Sequence, residues 1–200
     1  MSHSSARPSR SWRVVDIVVT AVIGVAAGVV FFGWNLVYQP LTAPLEAALP
    51  GLQALTYGVW LFAGVLAGLI VRKPGAAVAA EVVAATVSAL LGAHWGFLTI
   101  EAGLVQGIGA ELVFALFLYR RWGLPVAALA GAGAGLAMGV NDLILWYAGA
   151  GPAFATIYVA SAVVSGALIA GIGSWFIARG LAATGVLSRF ASGRGARARV

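Results

Sequence analysis

"HWGFLTIEAGLVQGIGAELVFALFLYRR", residues 94–121, is long and apolar enough to cross a bilayer, yet it contains the polar side chains Glu101, Gln106 and Glu111. A membrane helix needs about 20 predominantly apolar residues. An ionisable side chain inside a bilayer costs roughly 2.5–3.5 kcal/mol on insertion scales, so such residues face the interior of a helix bundle or a cavity. The stretch therefore predicts a membrane helix whose polar residues face a pocket and not lipid.

The whole chain has the composition of an integral membrane protein. Of its 200 residues, 62% are hydrophobic and 9% are charged, and the mean hydropathy is +0.99. Soluble domains have about a quarter charged residues. The absence of cysteine excludes disulfides and thiolate metal sites. The net charge of +6 does not indicate nucleic-acid binding, because the basic residues lie at segment ends and on the tails.

Basic residues and Pro/Gly-rich breaks divide the chain into six apolar segments, each close to the length of a membrane helix. We predict an all-α transmembrane domain over residues 13–179, with helices at 14–35, 54–71, 75–93, 97–118, 125–147 and 153–178. The N-terminal tail is 1–12, and a basic C-terminal tail covers 180–200. The first segment spans a full bilayer and five more follow it, so we interpret it as a retained helix and not as a signal peptide.

The basic residues also predict the orientation in the membrane. All of them lie before helix one, between helices two and three, between helices four and five, or after helix six. In chain order these residues are Arg7, Arg10 and Arg13; Arg72 and Lys73; Arg120 and Arg121; and Arg179, Arg189, Arg194, Arg197 and Arg199. The other three connections, near 36–53, 94–96 and 148–152, contain no Lys or Arg. By the positive-inside rule, both termini are cytoplasmic and the protein lies in the plasma membrane.

Two further patterns concern packing. The connection 35–53 contains three prolines and one charge, Glu46, and we expect it to fold as a cover over the outer face of the bundle; an interfacial segment is the alternative. Thr20, Gly24 and Gly28 form a stripe of small residues on helix one, where another backbone can approach closely. Either a helix of this chain or a partner protein that slides against it can use such a stripe.

With this orientation, polar and aromatic residues converge on the outer half of the bundle. Carboxylates, amides and aromatic faces together suit a small, flat, cationic or amine-bearing ring. We therefore expect an outward-facing ligand pocket there. The residues of this layer include Trp34, Asn35, Tyr38, Gln53, Tyr57, Trp60, His94, Trp95, Glu101, Gln106, Asn141, Asp142, Trp146, Tyr147 and Tyr158. Trp12, Trp122 and Trp175 lie at cytoplasmic ends and fit an interfacial aromatic belt instead.

Glu81 and Glu111 lie deeper, each roughly 10 Å from the cytoplasmic boundary at 1.5 Å per residue. Two roles are consistent with this depth: the floor of the pocket, or a structural hydrogen bond that holds helices three and four together. His94, in a short outer turn, is expected to be a surface residue. The sequence has no HExxH motif or similar ligand cluster, so we expect neither a metal site nor a cofactor.

Three stretches carry a family resemblance: "WRVVDIVVTAVIGVAAGVVFFGWN" (12–35), "GLVQGIGAELVFALFLYRRW" (103–122) and "GVNDLILWY" (139–147). They resemble the substrate-binding S components of energy-coupling factor (ECF) transporters, in the YkoE-like family assigned to thiamine or its hydroxymethylpyrimidine precursor. The resemblance covers nearly the whole chain after residue 11.

This resemblance implies a protein that binds its vitamin from outside and pairs with a membrane T component and two ATPase subunits. The T-component contact would fall on Thr20, Gly24 and Gly28, where the family pattern more often has alanine. The substrate-binding candidates are Trp34, Asn35, Tyr38, Trp60, Glu81, Trp95, Glu101, Gln106, Glu111, Asn141, Asp142 and Trp146.

Two other functions stay open. A self-sufficient secondary transporter for a small cationic or amine-bearing solute would use the deep Glu81 and Glu111. A membrane enzyme would need a nucleophile and a base at matching depth. Ser88 and His94 are the nearby candidates for that pair, and no residue pattern in the sequence activates them.

Overall fold

The computed structural model describes residues 11–188, 190, 192 and 193, and these residues form helices joined by short turns. The prediction of an all-helical membrane protein is confirmed. The predicted N-terminal tail lies almost entirely outside the described residues, together with the predicted cytoplasmic positions of Arg7 and Arg10. The same holds for Arg189, Arg194, Arg197 and Arg199 of the basic C-terminal tail.

The first helix is much longer than the sequence suggested. Helix α1 covers Val14–Ala48, 35 residues, and continues through Pro40 and Pro44. The expectation that 35–53 folds as a separate cover was therefore wrong for most of that stretch. In apolar surroundings a helix keeps its backbone groups paired within the segment, whereas a loop would leave them without partners.

The second predicted helix, 54–71, is broken in two. A 3₁₀ segment covers Leu52–Trp60, and helix α2 (Phe62–Val71) follows at an angle of 42°. Residues 63–71 are all buried, so α2 is the central helix of the bundle. A helix that is apolar on every face is stable only when other helices surround it.

The break leaves the N-terminal amides of α2 inside the bundle, where water cannot satisfy them. Glu81 of helix α3 (Ala76–Leu90) provides an acceptor, because the Gly64 N–H donates to its Oε2 at 2.6 Å. The Glu81 side chain is only 1% exposed. Its other oxygen, Oε1, has no hydrogen-bond partner among the described residues. Glu81 thus connects α3 to the start of the central helix.

Glu111 of helix α4 (Leu98–Leu116) does the same for the start of α3. The backbone N–H of Gly75 donates to Oε1 at 2.7 Å, and that of Ala77 donates to Oε2 at 2.9 Å. The Tyr119 hydroxyl also donates to Oε1, at 2.8 Å. A carboxylate at a helix N-terminus satisfies unpaired donors and interacts favourably with the helix dipole.

The remaining helices are α5 (Leu124–Leu145), α6 (Pro152–Ser165) and α7 (Gly173–Ala183), with a π-helical stretch Gly166–Ile172 that joins α6 and α7 into one rod. Gly131 of α5 lies directly against the Gly166 backbone, and Gly135 lies against Ala162. A side chain at either glycine would strike a carbonyl of the facing helix, so these glycines allow the close approach of α5 to the rod.

Among the described residues, four helices are long and apolar enough to cross a membrane: α1, α4, α5 and the rod Pro152–Ala183. The bent pair formed by the 3₁₀ segment and α2 makes a fifth if it is one span, and α3, with 15 residues, is shorter. The chain is thus a multi-pass membrane protein. Six crossings and the division into tails and a domain remain predictions.

The small-residue stripe of α1 faces α3. Thr20, Gly24 and Gly28 are all buried. A Cβ added to Gly24 would lie 2.7 Å from the Val83 Cβ, and one added to Gly28 would lie 2.6 Å from the Val87 Cβ. The stripe is therefore used for packing within this chain, which is one of the two roles that the sequence allowed. Its contact with a partner protein stays a prediction.

We expect Glu111→Ala to destabilise the protein, because it leaves buried backbone N–H groups of α3 without an acceptor, at about 1–3 kcal/mol for an unsatisfied donor. Glu111→Gln should have a smaller effect, since the amide oxygen still accepts. Thermal unfolding of the purified protein in detergent measures both, and Glu46→Ala, which removes an exposed carboxylate, is the matched control. Equal melting temperatures for all three variants would contradict the role of Glu111.

We also expect Gly28→Ala to lower the melting temperature, because its Cβ would also approach the Ala84 carbonyl oxygen at 2.7 Å. Gly33→Ala is the control, since no atom lies within 4 Å of a Cβ at that position. If Gly28→Ala instead keeps full stability and loses only its association with partner subunits, the stripe serves partner contact and not internal packing.

Candidate functional site

A cavity of about 160 Å³ opens at one end of the bundle. Side chains from α1, the 3₁₀ segment, α3, α4, α5 and α6, together with the turns after α3 and α5, form its walls. The lining residues are Phe31, Asn35, Tyr38, Tyr57, Trp60, Ala85, Ser88, Trp95, Leu98, Thr99, Ala102, Gln106, Met138, Asp142, Trp146, Tyr147 and Tyr158. Asp142 is the one acidic residue among them, and they include no Lys or Arg.

The described basic residues lie at the opposite end of the bundle. They stand at the start of α1, in the turns α2–α3 and α4–α5, and in α7: Arg13, Arg72, Lys73, Arg120, Arg121 and Arg179. Two contacts join these turns. The Trp12 indole N–H donates to the Pro74 carbonyl at 3.0 Å, and the Arg72 guanidinium lies 5.5 Å from the centre of the Trp122 ring. The cavity end and the basic end are thus well separated.

A continuous series of aromatic rings forms one wall of the cavity. Trp60 is central to it, with ring centres 5.0 Å from Tyr38, 5.6 Å from Trp95 and 5.2 Å from Tyr57. Tyr57 in turn lies 6.0 Å from Tyr158. Most of these pairs meet edge to face, which is a favoured geometry for aromatic pairs. A wall of this kind offers ring faces for stacking and for cation–π attraction.

Asn35 fixes the orientation of this wall. Its Oδ1 accepts a hydrogen bond from the Trp60 indole N–H at 2.8 Å, and its Nδ2 donates to the Ser88 Oγ at 3.1 Å. One amide therefore links α1, the end of the 3₁₀ segment and α3. The 3₁₀ segment is also bound on its other side, because the Ser165 hydroxyl donates to the Leu55 carbonyl at 2.7 Å and accepts from the Gly58 N–H at 2.8 Å.

Two buried polar side chains supply hydrogen-bonding capacity inside the cavity. Asp142 is 8% exposed, and the Tyr158 hydroxyl donates to its Oδ2 at 2.7 Å. Gln106 is 6% exposed and lines the cavity, and within the described part of the chain its amide makes no hydrogen bond. Because buried amides normally find partners, the free Gln106 amide is available to a ligand, as is the remaining capacity of the Asp142 carboxylate.

The cavity brings together seven of the twelve substrate-binding candidates, namely Asn35, Tyr38, Trp60, Trp95, Gln106, Asp142 and Trp146. The other five do not line it. Trp34 neighbours Asn35, and adjacent helix residues point in different directions. Asn141 donates to Glu101 Oε2 at 3.2 Å, so these two residues pair with each other. Glu81 and Glu111 accept from helix N-termini, so both have a structural role: Glu111 links helices three and four, as the sequence allowed, whereas Glu81 links helices two and three.

Sequence reasoning omitted several lining residues from the site. Tyr57 is three residues before Trp60, and three residues make one turn of a 3₁₀ helix, so both face the cavity. Phe31 is four residues before Asn35 and shares its face of α1. Both spacings are visible in the sequence. By contrast, the apolar Leu98, Ala102 and Met138 gave no signal that distinguishes a pocket wall from core.

The structure gives Ser88 and His94 different partners. Ser88 bonds with Asn35, whereas His94 Nε2 lies 3.4 Å from the Tyr38 hydroxyl and the histidine ring stacks beside that tyrosine. The two residues considered as a nucleophile and its base are therefore not hydrogen-bonded to each other. His94 is exposed, as the sequence predicted.

Three comparisons relate this chain to known proteins. A family model described as "ABC-type cobalt transport system, permease component" matches residues 15–137. The "Putative HMP/thiamine permease protein YkoE" of Bacillus subtilis (strain 168) is 37% identical over 186 residues, which are 92% of each chain. A crystal structure of an S component of an ECF transporter superposes with a TM-score of 0.86 at 35% identity and covers 94% of this chain and 95% of that one.

The two descriptions name different cargo, cobalt in one and HMP or thiamine in the other. Within the described residues, no three His, Cys, Asp or Glu side chains lie close enough together to hold a metal ion. The cavity presents rings, amides and one carboxylate instead. Its chemistry therefore favours an organic ligand over a bare cation.

We expect Tyr158→Phe to destabilise the protein by about 1–3 kcal/mol, because the buried Asp142 carboxylate loses its hydroxyl donor. Tyr38→Phe removes a hydroxyl that makes a long, exposed contact of 3.4 Å with His94 Nε2, so it should change stability less and is the control. Thermal unfolding without ligand compares the two variants. The Asp142 bond is dispensable if both melt at the wild-type temperature.

Proposed function

This chain belongs to the YkoE-like family of S components of ECF transporters, and from that premise we propose that it binds thiamine or its hydroxymethylpyrimidine precursor in the aromatic cavity. The observation that carries the proposal is the combination of a ring-lined wall, a free buried amide and a single carboxylate in one cavity. Its relatives are transport proteins and not enzymes.

The ligand chemistry matches these groups. Thiamine joins a cationic thiazolium ring to an aminopyrimidine, and hydroxymethylpyrimidine retains the second of these rings. Flat rings stack on Trp60 and its neighbours, and a positive ring gains cation–π attraction there. The Asp142 carboxylate accepts from an amino group or neutralises the cation, while the Gln106 amide both donates and accepts. Asn35 holds the Trp60 indole in place for stacking.

We propose that the cavity opens to the outside of the cell and that both termini are cytoplasmic. The support is the position of the described basic residues, which lie at the end of the bundle opposite the cavity. Cytoplasmic connections carry the excess of Lys and Arg in membrane proteins. A ligand that arrives from outside then meets the partly exposed Trp146 at the mouth before it reaches Gln106 and Asp142.

We further propose that transport is powered by a membrane T component and two ATPase subunits, as for other S components. Thr20, Gly24 and Gly28 remain the predicted partner contact, although α3 covers them in this structure. A self-sufficient carrier is less well supported, because Glu81 and Glu111 lie outside the cavity and accept hydrogen bonds from helix N-termini.

The test is ligand binding by the purified protein, measured by quenching of tryptophan fluorescence and by isothermal titration calorimetry. Thiamine should quench, since Trp60 and Trp95 line the cavity. Gln106→Ala and Asp142→Asn should each weaken binding by about tenfold or more, because each loses a buried hydrogen bond to the ligand. Both variants should remain folded by circular dichroism.

Glu101→Gln is the matched control for Asp142→Asn, because it neutralises a carboxylate on α4 that does not line the cavity. Its affinity for thiamine should fall much less than that of Asp142→Asn. The proposal would be wrong if thiamine, its phosphates and hydroxymethylpyrimidine all fail to quench fluorescence or to raise the melting temperature of the wild type.

A further inference from the structure

We infer that the cavity selects unphosphorylated, cationic ligands and discriminates against phosphate esters of the same ring system. This inference rests on the proposed function and adds to it the charge of the ligand. Its basis is the distribution of charged groups over the cavity and over the whole end of the molecule that contains it.

The cavity itself contains no group that can neutralise a phosphate. Among its lining residues Asp142 is the one charged side chain, and the others are aromatic, apolar or uncharged polar residues. Proteins bind phosphate with Arg, Lys or clusters of backbone N–H groups. A phosphate in this cavity would lose its hydration and meet a carboxylate, and both effects oppose binding.

The acidic residues around the mouth of the cavity give it a negative charge, as Asp142 does inside. Glu46 and Glu101 lie on the elements around the cavity, near the exposed end of α1 and at the first turn of α4. The C-terminal part of α1 with the residues up to 53, and the connections 94–96 and 148–152, contain no Lys or Arg. The described basic residues all lie at the other end of the bundle. His94 is the one residue here that can become positive, and it is exposed beside Tyr38.

A ligand therefore meets a negative potential both inside the cavity and at its mouth. Such a potential raises the local concentration of cations and lowers that of anions. A phosphate monoester has a charge of about −1.5 to −2 at pH 7, so phosphorylation changes thiamine from a net cation to a net anion. An ester group that protrudes from the mouth still lies among these carboxylates, so it is disfavoured there as well.

The experiment compares the dissociation constants of thiamine and thiamine monophosphate for the purified wild type by isothermal titration calorimetry. We expect thiamine to bind at least about tenfold more tightly at low ionic strength. The ratio of the two dissociation constants should move toward one as the NaCl concentration rises from about 50 mM to about 500 mM, because salt screens charges at the exposed mouth. Asp142→Asn should also bring this ratio closer to one, because it should weaken the binding of thiamine more than the binding of the monophosphate.

A monophosphate that binds within about tenfold of thiamine at low salt would overturn the inference and leave the proposed function intact. A ratio that Asp142→Asn leaves unchanged would also overturn it, since the selectivity would then have another source. If neither compound binds, the inference fails, and the proposed function fails with it only if hydroxymethylpyrimidine does not bind either. These results are distinguishable because binding of an unphosphorylated ligand reports on the proposed function and the ratio of dissociation constants reports on the inference.

Discussion

The structure depends on one requirement: helix N-termini that lie inside the bundle need hydrogen-bond acceptors. Where a helix begins away from water, its first amides have no partner within the helix. Glu81 accepts from the start of α2 and Glu111 from the start of α3, so each carboxylate comes from the helix that follows next in the chain. The chain has six acidic residues, and two of them accept in this way from the start of a neighbouring helix. Their cost in the membrane is thereby offset by donors that would otherwise be unsatisfied.

This arrangement has a consequence for the site. Because α2 can begin at Phe62 in the middle of the bundle, the preceding nine residues are free to form the 3₁₀ segment with its different direction. That segment places Tyr57 and Trp60 one turn apart on the cavity wall. A continuous α-helix from 54 to 71 would also place residues three apart on one face, so the break matters through direction: it turns the segment that carries Tyr57 and Trp60 by 42° from the axis of α2.

The sequence predicted which polar residues lie at the end of the bundle away from the basic residues better than it predicted the helix face on which each one lies. Alternating basic residues located the polar layer, and the residues on it include Asn35, Gln106 and Asp142 of the cavity. Depth alone could not show that Glu101 and Asn141, in the same layer, bond to each other instead. Nor could it separate the two roles of Glu81 and Glu111, since both a pocket floor and a capped helix place a carboxylate at that depth. The deciding information is which neighbouring helix starts beside each side chain.

The errors in helix boundaries have a related cause. Prolines at positions 40 and 44 suggested that helix one ends early, because proline lacks an amide hydrogen and disfavours the helix interior. In this chain α1 nevertheless continues to Ala48. Local propensity is a weak constraint where the alternative is a loop with unpaired backbone groups in apolar surroundings. Helix packing is a separate constraint: Gly24, Gly28 and Gly131 have no side chain and so permit the backbones of neighbouring helices to approach each other.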